Sequence, residues 1–192
     1  MKTAADYFTA TMPEPWQVLG LRLRPFSLGH YKLLRRFNCA FVQDDAVNCE
    51  RGDVVLGVLI CSMKPAEFLA LMESENFIET VKEWGQKCGL FDLAEKAALF
   101  KEYIEAHSVV PRYWEKENHG SDSGAHWAQC VEVALRSKLG WTAEEIDEQP
   151  LSKAFADYFK YAESEGAIQL MSEREIAFIE ASKRQKEETC GV

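Results

Sequence analysis

Apolar residues recur along most of this chain at intervals of three and four, which is the period of an amphipathic helix. The clearest example follows Ser27, a residue type that often caps the N-terminus of a helix. Its apolar stripe comprises Leu28, Tyr31, Leu34, Phe37 and Phe41. The pattern predicts a helix that begins after Ser27 and carries basic residues on its other side.

Start and stop signals divide the rest of the chain into further helices. Residues suited to helix starts are Asp53, Pro65, Asp92 and Pro150, and capping-box sequences run from Thr142 to Glu145 and from Ser172 to Glu175. Glycines suited to helix ends are Gly89, Gly140 and Gly166. The apolar segment from Val54 to Cys61 fits either a helix or a buried strand, and the helix is favoured.

These signals predict an all-α protein, a helical bundle of about six to eight helices. Only residues 18–24 suggest strand, as a small N-terminal β-hairpin or single strand. Residues 1–181 are interpreted as a single helical domain. Two lobes, 1–110 and 125–181, joined by the turn-rich loop 111–124, are the alternative. Residues 182–192 are charged and lack a stripe, which predicts a frayed tail.

Composition places the chain among ordinary folded proteins, with 47% apolar and 28% charged residues. The longest apolar run, Val54 to Cys61, is far shorter than the roughly 20 residues that a membrane span needs. The N-terminus lacks the apolar core of a secretory signal. Six cysteines occur without a Cys-x-x-Cys pair. We therefore expect a cytoplasmic protein with six free thiols and no disulfide.

Charge is distributed unevenly along the chain. The segment from Trp16 to Gln43 contains five Lys or Arg residues and no acidic residue, although the formal net charge is −9. This predicts a partner-binding surface made of Trp16, Arg22, Arg24, Phe26, Tyr31, Lys32, Arg35 and Arg36. Its partner would be an acidic protein or another copy of the chain. A solvated helix face is the other interpretation, and the pI of about 5.0 makes nucleic acid unlikely as a partner.

Candidate chemistry is sparse. The strongest metal-binding set is His107, His119, His126 and Cys130, because imidazole and thiolate both bind zinc. None of the stronger zinc spacings is present, so core packing explains these residues better. The acidic residues from Glu144 to Glu148 fit a helix start, and no glycine-rich phosphate loop occurs. We predict no catalytic residue, no metal, no cofactor and no enzyme activity.

Several separate stretches of the chain resemble a known family. Pro15 to Leu34, PWQVLGLRLRPFSLGHYKLL, resembles the opening of small helical proteins encoded among the tail genes of tailed phages, in particular tail assembly chaperones. In those proteins a phrase ending in Pro-Phe/Leu-Ser/Thr-x-Gly-His precedes a leucine-rich helix. Gly140 to Tyr158, Glu163 to Gly166 and Met171 to Glu175 are similar in kind. The loop around His119 and the acidic balance have no counterpart in this resemblance.

The resemblance implies a non-enzymatic protein that binds the tape-measure protein. Such a protein keeps the long apolar helix of its partner from aggregating before the tail tube forms around it. It would act in the cytoplasm of an infected or lysogenised bacterium, and it could form a homo-oligomer. The alternative is a small helical regulatory or nucleic-acid-associated protein, and an uncharacterised enzyme ranks behind both.

Overall fold

The computed structural model describes residues 14–43, 48–116 and 124–190, with side chains described as far as Gln185. This part of the chain contains nine α-helices and four short strands. The first half comprises β1 Trp16–Val18, β2 Leu21–Leu23, α1 Leu28–Arg36, a 3-10 turn Ala40–Val42, α2 Arg51–Ser62, α3 Pro65–Glu73, α4 Phe77–Lys87 and α5 Leu93–His107. The second half comprises β3 Tyr113–Glu115, α6 Trp127–Lys138, α7 Ala143–Glu148, α8 Leu151–Ser164, β4 Ile168–Leu170 and α9 Glu173–Cys190.

The mainly helical prediction is confirmed, and so is the N-terminal hairpin, in which β1 pairs antiparallel with β2. The helix count exceeds the predicted range, and the fold is not purely α. A second two-stranded antiparallel sheet joins β3 to β4, with Tyr113 opposite Leu170 and Glu115 opposite Ile168. Strands of three residues are too short to show an alternating pattern, so the sequence predicted a loop where β3 lies.

The segment from Val54 to Cys61 is helical and lies within α2. Asp53 was expected to cap this helix, but that prediction is wrong, because Glu50 is the capping residue. Asp53 is the third helical residue, and its carboxylate accepts hydrogen bonds from Glu50 N at 2.8 Å and Ala40 N at 3.1 Å. The hydrogen bond from Ala40 N to Asp53 joins the 3-10 turn to the start of α2.

Most other helix boundaries are confirmed. Ser27, Asp92 and Thr142 each cap a helix, and Pro65 is the first residue of α3. Gly89, Gly140 and Gly166 adopt positive φ angles of 60°, 71° and 78° directly after helices, as a C-terminal stop requires. At the C-terminal end, α9 runs to Cys190, beyond Ser182 where the frayed tail was expected to begin.

One core cluster collects buried residues from both sides of the predicted loop 111–124. At its centre the rings of Phe26 and Tyr103 lie 6.0 Å apart, and those of Phe100 and Tyr103 lie 5.6 Å apart. The Tyr103 hydroxyl donates to the carbonyl of Arg24 at 2.7 Å, so the buried phenol is satisfied. The hairpin is thereby fixed to α5.

Helix α1 lies in the middle of the protein, and six of its nine residues are buried. Gly29, in its first turn, allows two other segments to approach. A Cβ atom on Gly29 would lie 2.6 Å from the Asp147 carbonyl oxygen and 2.7 Å from Pro65 Cγ. Because the first of these contacts is with backbone, no side-chain rotation could relieve it.

We therefore expect Gly29→Ala to lower the free energy of unfolding by roughly 1–3 kcal/mol, the usual cost of overpacking a well-packed site. Gly52→Ala is the matched control, since Gly52 also lies in the first turn of a helix and a methyl group added there would have nothing within 4 Å. That variant should be neutral or more stable by up to about 1 kcal/mol. Urea denaturation of both variants measures the difference, and equal stabilities would contradict the proposed packing constraint.

Candidate partner-binding site

The structure separates the eight residues that were predicted to form a partner-binding surface. Phe26 is fully buried and Tyr31 is 8% exposed, and both belong to the core cluster. The Tyr31 ring lies 4.7 Å from the Trp127 ring, and its hydroxyl contacts His126 Nε2 at 3.2 Å. Neither Phe26 nor Tyr31 is therefore available as an aromatic anchor on the surface of the folded chain.

Lys32 is used within the fold. Its ammonium group contacts Asp147 at 2.8 Å and Glu132 at 2.9 Å, and so it joins α1 to α7 and α6. Burial alone would lower the pKa of Lys32, but hydrogen bonds to the two carboxylates outweigh burial, and the pKa is raised. Because both carboxylates belong to other helices, this cation stabilises packing rather than presenting charge to a partner.

Arg35 is also engaged within the chain. Its Nη1 donates to the Val42 carbonyl at 2.8 Å and to Gln43 Oε1 at 3.2 Å. These bonds tie the last turn of α1 to the 3-10 turn that follows it. Two of the five cations predicted to face a partner, Lys32 and Arg35, thus bind residues of their own chain.

Three cations remain exposed, Arg22, Arg24 and Arg36. Helix α1 is about 13 Å long and separates Arg36 from the two hairpin residues. Trp16 is half-buried, with its ring 6.2 Å from that of Tyr103. We call Arg22 and Arg24 the hairpin surface. Trp16 lies on the opposite, core-facing side of the hairpin, because it pairs with the buried Leu23 whereas Arg22 pairs with Gln17.

His30, which the sequence analysis noted only as the last residue of the Gly-His phrase and not as a candidate site residue, bonds to several segments. Its Nδ1 accepts from the backbone N–H of Ser27 at 3.2 Å, which places the ring proton on Nε2. Nε2 then donates to the Met63 carbonyl at 2.9 Å. The Ser27 hydroxyl donates to the Asp147 carbonyl at 2.5 Å. The spacing Ser27-x-x-His30, that of a capping box, was the signal in the sequence.

The environment of His30 holds it neutral at physiological pH. Burial lowers its pKa to about 4, although the hydrogen bond to the Met63 carbonyl acts in the opposite direction. The nearby positive charge of Arg24 lowers the pKa slightly further. Since both ring nitrogens are bonded within the fold, His30 has a structural role.

The candidate metal ligands have structural explanations where the structure describes them. His107 is buried and its Nδ1 donates to the Tyr103 carbonyl at 2.7 Å. His126 caps α6 by accepting from Ala128 N at 3.2 Å. His119 lies outside the described residues. Within the described ranges, no group of three or more His, Cys, Asp or Glu side chains is arranged to hold a metal ion.

The cysteines that the structure describes are free thiols: Cys39, Cys49, Cys61, Cys88 and Cys130. Burial raises the pKa of Cys39 to about 12, and it raises the pKa of Cys61 strongly. A thiol attacks as its thiolate, so these two buried cysteines are poor nucleophiles at neutral pH. They behave as small apolar residues of the core.

Known proteins give no further information about this site. No protein-family model, no curated protein and no solved structure matches the chain. Over the described ranges, no single α-helix has both the length and the apolar composition of a membrane span. Helices α2 and α3 satisfy the criteria together, but they meet at a bend of 115°.

The pKa of His30 makes stability depend on pH. As the pH falls from about 6.5 to about 4, the unfolded chain binds a proton that the folded chain does not, so the free energy of unfolding decreases. His30 alone should remove about 2 kcal/mol between pH 7 and pH 5. In His30→Gln, whose amide does not titrate, this part of the pH dependence should disappear.

Urea denaturation at both pH values measures the effect, and the carboxylates that titrate in both proteins cancel in the comparison. If His30→Gln does not fold, an NMR titration of the wild-type imidazole gives its pKa directly. Equal pH dependence in the two proteins, or a measured pKa near 6.5, would contradict the buried neutral state.

Proposed function

We propose that this chain is a non-enzymatic protein-binding factor of the phage tail assembly chaperone type. Its partner is a long helix with an exposed apolar stripe, such as a tape-measure protein before the tail tube forms around it. The observation that carries the proposal is the position of the Ser-x-Gly-His phrase. Its residues join three segments of the fold, and the exposed arginines directly before the phrase lie on the hairpin surface.

The Ser-x-Gly-His phrase, which carries the resemblance to the chaperone family, comprises Ser27 to His30. The packing of the fold explains three of these residues. Ser27 caps α1 and bonds to Asp147, Gly29 leaves room for the backbone of α7, and His30 bonds to the carbonyl after α2. These are requirements of a fold rather than of a reaction. A phrase with that role supports the idea that the chain shares the architecture, and hence the binding function, of the proteins it resembles.

The hairpin surface has the positive charge of a docking point for an acidic segment. Arg22 and Arg24 are exposed, and neither makes an ion pair with any residue in the described ranges. A local positive charge on a chain of net charge −9 attracts an acidic segment and orients the encounter.

Nucleic acid is the second candidate, because exposed arginines also bind phosphates. Only two arginines meet at the hairpin surface, however, and the rest of the chain is acidic. The protein-binding role therefore fits the charge distribution better, in the cytoplasm of an infected or lysogenised bacterium.

The double variant Arg22→Glu, Arg24→Glu should bind the helical partner at least about tenfold more weakly, which corresponds to about 1.4 kcal/mol. Lys138→Glu, Lys183→Glu is the matched control, because it changes net charge equally at exposed positions on α6 and α9. Titration of the tape-measure protein from the same gene cluster, followed by calorimetry, measures both affinities. Raising the salt concentration should weaken wild-type binding.

Equal affinity of the hairpin variant and the wild type would exclude the hairpin surface as the docking point. No binding of any tape-measure protein by the wild type would contradict the chaperone function itself. Salt-sensitive retention of the wild type on a DNA column, lost in the hairpin variant, would favour the nucleic-acid alternative.

A further inference from the structure

Helix α4 is amphipathic, but it is attached to the fold by half-buried side chains. Its apolar side comprises Phe77, Val81 and Trp84, which follow one another at positions i, i+4 and i+7 and pack against the core cluster. None of its eleven residues is buried, whereas seven of the twelve residues of α2 are. The contacts of α4 with the fold therefore remain partly open to water.

The apolar side of α4 lies in a groove formed by three other helices. The Phe77 ring is 6.0 Å from the ring of Phe68 in α3 and 6.5 Å from that of Phe37, directly after α1. Trp84 Nε1 donates to the carbonyl of Val55 in α2 at 3.1 Å. We call Phe37, Val55 and Phe68 the α4 groove. Apolar grooves bind amphipathic helices through anchors at this spacing.

Few polar contacts hold α4 in this groove. Within the described ranges, the Trp84 bond is its one hydrogen bond to another helix or strand. Its one ion pair there joins Lys87 to Glu83 and stays inside the helix. Asn76 precedes α4 without a capping bond from its side chain, and the exposed Gly89 follows just beyond its C-terminal end. Segments with few buried contacts and exposed links open at the lowest free-energy cost.

We propose that the α4 groove is a binding site for an amphipathic helix of a partner protein, and that α4 covers this groove until the partner displaces it. The partner helix carries bulky apolar side chains at i, i+4 and i+7, as α4 does. It restores the apolar contacts that α4 gives up, so the exchange of one helix for the other loses little of the burial. In the absence of a partner, α4 keeps the groove from being an exposed apolar patch, which would favour aggregation.

The groove supplies a contact that the hairpin surface does not. Two arginines attract an acidic segment, but they do not cover the apolar stripe of a helix. The groove does cover such a stripe, and so it deepens the proposed function. The identity of the partner as a tape-measure protein rests on that proposed function. The groove itself is tested separately, with a peptide taken from this chain.

The first test offers the groove a free copy of α4. The probe is a fluorescein-labelled peptide of residues 74–88 carrying Cys88→Ser, and fluorescence anisotropy measures its binding to the full chain. The wild type should bind it weakly, because a tethered α4 competes at a roughly millimolar effective concentration. In the full chain, Val81→Asp weakens the docking of α4, so the apparent affinity for the peptide should rise at least about tenfold.

Two matched controls accompany this test. Gln86→Asp in the full chain makes the same charge change on the exposed side of α4, and it should leave peptide affinity unchanged. A peptide with Phe77→Ser and Trp84→Ser has the same net charge as the probe but lacks two anchors, and it should not bind. Circular dichroism of Val81→Asp checks that the rest of the chain remains helical.

The second test fixes α4 in the groove. A Cβ atom on Gly85 would lie 3.8 Å from Val55 Cγ1, so Gly85→Cys with Val55→Cys brings two thiols within reach of a disulfide. The oxidised protein should lose peptide binding, and reduction with dithiothreitol should restore it. The reduced protein is the matched control, because it has the same sequence, and peptide mapping by mass spectrometry confirms which cysteines are joined.

Tighter binding by Val81→Asp and loss of binding in the oxidised protein would support the groove. Peptide binding that survives the disulfide, weaker binding by Val81→Asp, or no binding by either Val81→Asp or the reduced protein would overturn it. If Val81→Asp does not fold, the disulfide variant decides alone. A chain that binds the peptide but no tape-measure protein would contradict the chaperone function and leave the groove standing. Equal binding of the tape-measure protein by the oxidised and reduced forms would do the reverse.

Discussion

The close contact between the start of α1 and the residues around Asp147 is the constraint on which the rest of the fold depends. Gly29 lets backbone approach backbone, and Ser27 bonds to a carbonyl 120 residues further along the chain. His30 adds a bond to Met63, between α2 and α3. Leu151 N donates to the Phe26 carbonyl at 2.8 Å, which continues the contact into α8. The hairpin, the central helices and the C-terminal half therefore meet at one short segment.

This constraint also decides where the positive charge of the chain is displayed. Since α1 is enclosed, Lys32 bonds to carboxylates of α6 and α7, and Arg35 bonds to the chain that follows the helix. Partly exposed cations used in this way contribute to packing specificity more than to net stability. Of the five basic residues between Trp16 and Gln43, Arg22, Arg24 and Arg36 remain exposed, and only Arg22 and Arg24 lie close together, in β2 and directly after it. The proposed docking surface is consequently smaller and more sharply located than a helix face would be.

Helix α3 is rich in apolar residues but lies at the surface of the fold. Its neighbour α2 has a similar excess of apolar residues and buries seven of its residues. The bend of 115° between the two helices directs α3 along the surface, where Pro65 and Phe68 are buried and Met72 packs against the core. The remaining apolar side chains keep contact with water unless another surface covers them, and covering such area is favourable by about 25 cal/mol per Å².

The local structure could be predicted from the amino-acid pattern: the caps at Ser27, Asp92 and Thr142, the glycine stops, and the mainly helical architecture. These depend on hydrogen bonds and dihedral preferences within a few residues, which a pattern displays directly. Only the tertiary structure decided which side chains face water. Phe26 and Lys32 were indistinguishable from surface residues in the pattern, because the helices that cover them come more than 75 residues later in the chain. The pairing of β3 with β4 was decided in the same way, since strands of three residues gain their hydrogen bonds only from a distant partner.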